Sequence, residues 1–164
     1  MVFGPAMDLA RARSEGVSPF LVVARGHRLV RTRLSLRARL LFCATNAPYF
    51  LLAAASPPPH HALPLLLVAA ASSAFHAAVL FAQPSPLTAL LLAADMTAAN
   101  GYAACLALQF GAKRCAALFA VPLLLLVASA VAKRRGRPVL YAALHGAWHC
   151  LSAWAIWRIL HYSL

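Results

Sequence analysis

The chain has 164 residues, 63% of them hydrophobic, and only three acids against fifteen Lys and Arg. Soluble domains hold about 45–50% apolar residues, so this composition argues against a soluble fold and against reading the net charge of +12 as a nucleic-acid footprint. An all-α integral membrane bundle with basic flanks is expected, with the lipid bilayer as its partner and no nucleic acid.

Residues 1–38 form a basic segment without a long apolar core. The run Phe20-Leu21-Val22-Val23-Ala24 is too short for the core of a signal peptide. The Arg, Ser and Ala content also suits an organelle transit sequence, although Asp8 and Glu15 speak against that. A basic helix lying in the interface over about residues 18–37 is the plainer expectation.

Residues 39–164 are expected to form the transmembrane helical bundle, with about five crossings. The first covers about Leu40 to Ala55, contains Asn46 and Pro48, and ends at Ser56-Pro57-Pro58-Pro59, which cannot continue a helix. The second covers His61 to Ala82 and stops at the turn Gln83-Pro84-Ser85-Pro86. The third covers Leu87 to Phe110, and the fourth Cys115 to Ala132, with a kink expected at Pro122. The fifth covers Val139 to Leu160. The cysteines Cys43, Cys105, Cys115 and Cys150 are scattered, with no CxxC pair, and read as small residues of membrane helices.

The basic residues set the orientation. With five crossings, the amino-terminal side holds eight Arg of the leading segment and four cations of Lys133-Arg134-Arg135-Gly136-Arg137, while the other side holds Lys113, Arg114 and Arg158. The amino terminus is therefore expected in the cytoplasm and the carboxyl terminus in the lumen or outside the cell. Trp154 and Trp157 fall where an aromatic belt is expected at the far side.

Few ionisable residues lie deep within these spans: His76, Asp95, His145 and His149. A charged Asp at a helix centre costs about 2.5–3.5 kcal/mol on insertion scales, and something must offset that. His76 lies nine residues before Ser85, and Asp95 ten after it, so both sit roughly 14 Å from the cytoplasmic side. His145 and His149 follow Pro138 at depths of roughly 10 and 17 Å. Four polar groups from three helices thus fall in one layer, with Ser72 one turn from His76 on the same face.

Three imidazoles beside a carboxylate suit zinc, and three protein ligands with one open position is its catalytic pattern. Asp95 then holds the attacking water, acts as its base or orients a histidine. Plainer readings stand beside this. A single His76 is commonly a hydrogen-bonded packing group, and Asp95 alone can serve as a structural partner of one His or of Asn100. Ser72 alone is helix glue. Bis-histidine haem ligation needs histidines facing each other from two helices, whereas His145 and His149 share one. His27, His60, His61 and His161 are set aside as peripheral.

Ser72-Ser73-Ala74-Phe75-His76 on the second span, Asp95 on the third and His145-Gly146-Ala147-Trp148-His149 on the last resemble the signature of the CREST superfamily. That superfamily comprises the alkaline ceramidases, the progestin and adiponectin receptors, and related lipid-remodelling and myomaker-like proteins. The resemblance implies zinc held by His76, His145 and His149, Asp95 engaging the water on the metal, Ser72 supporting the site, and hydrolysis of an amide or ester bond in a membrane lipid. It further suggests the endoplasmic reticulum or Golgi. The family pattern has seven spans; two between the Asp helix and the His-pair helix are missing here, which preserves the direction of the last span. A chamber so shortened is smaller or open to lipid, and a homo-oligomer is one way to supply its missing walls. Trp148 is placed to line an acyl channel or simply to pack.

Three function classes follow. The first is a zinc-dependent intramembrane lipid hydrolase, acting on a ceramide-like lipid or a phospholipid and fed from the cytoplasmic leaflet. The second is a receptor-like or membrane-remodelling scaffold with a structural zinc. The third is a small transporter with Asp95 and the histidines as a proton relay; it fits less well, since no inverted repeat is apparent.

Overall fold

The computed structural model describes residues 28–55, 59–83 and 85–162, and within them the chain is helical with no strand. The helices are α1 (Arg28–Arg33), α2 (Leu36–Ala44), α3 (Ala47–Ala54), α4 (Pro59–Phe81), α5 (Pro86–Phe110), α6 (Ala112–Arg134) and α7 (Pro138–His161). Residues 1–27, which include most of the basic leading segment and the larger part of the expected interfacial helix, lie outside the described residues.

The boundaries follow from local chemistry. Ser35 caps α2 by accepting a hydrogen bond from the Ala38 amide. Asn46 and Pro48 divide the first expected span into α2 and α3, with Pro48 in the first turn of α3, where its missing N–H is no loss. Ser85 and Thr88 form a reciprocal capping box that starts α5. Gly111 alone joins α5 to α6; its φ of 91° lies in the left-handed region that only glycine enters without strain. Pro122 is buried within α6, which continues through it.

Three helices, α4, α5 and α6, are long and apolar enough to cross a membrane. Helix α7 is equally long, 24 residues, but His145, Gly146, His149 and Ser152 dilute its apolar character. The four long helices form two hairpins, α4 with α5 and α6 with α7, and residues 28–54 wedge between α4 and α7. Within the wedge, Phe42 of α2 packs at the α6–α7 turn end with Leu80, Ala132 and Tyr141. Tyr49, Leu52 and Ala53 of α3 pack at the opposite end with Leu65, Ile156 and Ile159. The broken pair α2–α3 therefore runs the length of the bundle. Helix α1 and the bend after it place Val30 and Leu34 in the same cluster as Phe42 and Tyr141 and close that end.

Large apolar side chains are left exposed on every long helix, among them Leu63, Leu67, Leu90, Leu108, Leu124, Val127, Val139 and Leu140. A water-soluble protein does not carry so many; an outward apolar surface is what a bilayer solvates. The four cysteines are unpaired thiols.

Candidate metal centre

Helix α4 carries His76 inward with 2% of its surface exposed, and α7 carries His149 inward with 1%. Their Nε2 atoms approach to 3.2 Å. His145, one turn before His149, completes a triangle of rings with centroids 5.0–5.2 Å apart. One ring nitrogen from each of the three lies within 4.8 Å of the other two, so the group can hold a metal ion. The His-x-x-x-His spacing thus does place both imidazoles on one face, and that face meets His76.

The backbones of α4 and α7 are not packed closely on each other; the imidazoles themselves span the gap, and aromatic side chains fill around them. Phe42 of α2 lies 4.9 Å from the His76 ring and 5.6 Å from His145. Tyr141 flanks His145 at 5.1 Å, Tyr49 of α3 meets His149 edge-on at 6.1 Å, and Trp148 covers both rings of the pair at 4.8 and 4.5 Å. Gly146 lets the α2–α3 corner come this near: a Cβ there would stand 2.8 Å from Thr45 Cγ2.

The tautomer of His145 follows from a residue that the sequence did not single out. The Ser129 hydroxyl of α6 donates its one proton to the Leu126 carbonyl at 2.7 Å. Its contact with His145 Nδ1 at 3.2 Å must then be an Nδ1–H donating to the hydroxyl oxygen. That leaves Nε2 of His145 as the lone-pair nitrogen, and anchoring of this kind is the usual support of a ligating histidine. A serine in an apolar run reads as helix glue, so only the fold exposes its second contact.

The spacing of His76 and His149 suits a tetrahedral ion. Two nitrogens on one tetrahedral ion, each at about 2.0–2.1 Å, stand about 3.3 Å apart, close to the His76–His149 separation of 3.2 Å. Nδ1 of His76 and Nδ1 of His149 have no hydrogen-bond partner among the described residues, so the His145 arrangement is not repeated at these two.

Asp95 and Ser72 stand beside this centre. Ser72 is buried on α4, one turn before His76, and its hydroxyl faces the half-buried Asp95 carboxylate of α5 closely enough to interact with it. Asp95 is not among the grouped ligands. Asn100, weighed as its partner, instead donates to the Met96 carbonyl at 2.8 Å.

Of the histidines set aside, His60 and His161 are exposed, the latter on the Trp157 carbonyl at 3.0 Å, and His27 lies outside the described residues. His61 differs from the expectation: it is 3% exposed and its Nδ1 meets the Tyr102 hydroxyl at 3.2 Å. It remains remote from the cluster, fifteen residues from His76 along one helix, or roughly 22 Å.

A cavity of about 140 Å³ opens between α5, α6 and α7. Its wall includes Tyr102 and Leu106 of α5, Phe119 and Leu123 of α6, and Trp148 and Ser152 of α7, with Tyr49 of α3. Trp148 thus lies between this apolar space and the imidazoles. In comparisons with family models, with curated proteins and with solved structures, nothing matches this chain.

Proposed function

We propose that this chain is a zinc-dependent intramembrane hydrolase that cleaves an amide or ester bond of a membrane lipid, and that it is a shortened relative of the CREST superfamily it resembles. The observation that carries the proposal is the convergence of His76, His145 and His149, from two helices and 73 positions of sequence, on one point among apolar helices.

His76, His145 and His149 would hold the ion, with Ser129 fixing the His145 ring. Bound there, zinc supplies a Lewis acid and lowers the pKa of water to about 7. Asp95 takes and returns a proton at a carboxylate oxygen, and Ser72 fixes the orientation of that carboxylate. Trp148 and the cavity behind it exclude water and accept an acyl chain. In this reading the chain crosses five times, with α2 and α3 together as a broken first span and α7 as the last. The amino terminus is cytoplasmic, the carboxyl terminus lumenal or extracellular, and lipid arrives from the side.

One observation favours the alternative of a receptor-like or remodelling scaffold in which zinc is structural: His76 and His149 are almost fully enclosed, and structural sites are closed. Metal analysis of detergent-purified protein, followed by incubation with ceramides and phospholipids, decides between them. The hydrolase predicts about one zinc per chain, lost in the His145→Ala/His149→Ala variant, and lipid turnover that Asp95→Asn abolishes while keeping the metal. Zinc bound without turnover of any lipid assigns the scaffold; wild-type protein without zinc overturns both readings.

A further inference from the structure

Two cations at the α6–α7 turn end are committed to structure. Arg31 donates to the Ala82 carbonyl and to Gln83, and Arg39 donates to the Leu80 carbonyl at 3.0 Å while lying over Phe81. Both thereby cap the carboxyl end of α4, where positive charge is favoured. Lys133, in the last turn of α6, does something else. Its ammonium stands 5.5 Å from the centre of the Tyr141 ring. Tyr141 is 2% exposed, it lies against His145 at 5.1 Å and Phe42 at 5.7 Å, and the Lys133 charge is near enough to act on His76. One aromatic ring therefore separates this cation from the histidine cluster.

A half-buried ammonium needs an anion. The described residues give it none: Asp95 is the only acid among them, and it faces Ser72. The exposed Arg134, Arg135 and Arg137 follow directly, so negative charge drawn to this surface meets Lys133 at its inner edge.

We propose that Lys133 is the inner contact for the phosphate of an anionic lipid headgroup, and that the lipid served by the histidine centre is an anionic phospholipid rather than a neutral ceramide. The substrate half of this statement rests on the hydrolase reading; the headgroup site does not. A phosphate there exchanges hydration for a charge-assisted hydrogen bond to Nζ, with the surface arginines adding a salt-sensitive attraction. Free phosphate offers the same chemistry, and a lipid is distinguished by its need for the attached chains.

Binding to detergent-purified protein tests this, with phosphatidylglycerol, phosphatidylcholine, ceramide and inorganic phosphate as probes in separate titrations. The expected result is that phosphatidylglycerol binds at least tenfold tighter than the other three. Lys133→Gln should weaken it by about five- to tenfold, the worth of one cation–phosphate contact, without altering zinc content. The Arg134→Gln/Arg135→Gln/Arg137→Gln variant should chiefly flatten the salt dependence. A preference unchanged in Lys133→Gln, or ceramide binding as tight as phosphatidylglycerol, overturns the proposal, and inorganic phosphate binding as tightly overturns its lipid character. Because binding is read without turnover, Lys133-dependent binding with no hydrolysis would sink the hydrolase reading and leave the headgroup site standing.

Discussion

Ser129 shows how much of the centre depends on one hydroxyl. Its proton is spent on the Leu126 carbonyl, so its oxygen can only accept from His145. Ser129→Ala removes that acceptor and lets the tautomer of His145 change. Loss of such a support costs roughly 10–100-fold in metal affinity, and a competition titration with a coloured chelator should show it while helical content stays unchanged by circular dichroism. The histidine cluster was legible as letters: histidines are scarce in apolar spans, and helix rise alone put the three at one depth. Ser129 was not legible, because neighbourhood across two helices is not written in spacing on one. His61 was misjudged for a similar reason. Its place after three prolines suggested a surface position, yet Tyr102 of the next helix covers it.

At the scale of the helices, the wedge of residues 28–54 holds α4 and α7 at the separation that two facing imidazoles span. It comes close at Gly146, where an added methyl would meet Thr45 Cγ2 at 2.8 Å. Gly146→Ala should therefore push the α2–α3 corner outward and cost about 1–3 kcal/mol, the usual penalty of overpacking. Adding Thr45→Ser, which removes the obstructing methyl but keeps a hydroxyl for the Phe42 carbonyl, should restore most of the loss. Thermal unfolding of the two variants in one detergent checks both statements. The breaks at Asn46-Ala47-Pro48 and after Phe81 could be read from proline chemistry. That the first apolar stretch divides into helices of nine and eight residues, each serving a different end of the bundle, could not. That division depends on what α4 and α7 offer at each end.

For the whole molecule, the five crossings proposed above would put the two termini on opposite sides. A glycosylation acceptor added after the carboxyl terminus should be modified in microsomes, and the same acceptor placed before the first residue should not; the reverse pattern would invert the orientation argued from the cations. The all-helical architecture was legible from composition and periodicity. Its open seam was not: α5 packs less closely on α6 than α6 does on α7, and the cavity lies along that seam.

Helices α5 and α6 meet at a single residue, Gly111, and touch sparingly along their length, so mechanically they are the arms of tweezers. Spreading them would widen the passage beside Trp148, but α4 is packed on α5 and α7 on α6, so the same motion would draw His76 away from His149. Width of the passage and closure of the histidine triangle are then one coordinate, shared by the two hairpins.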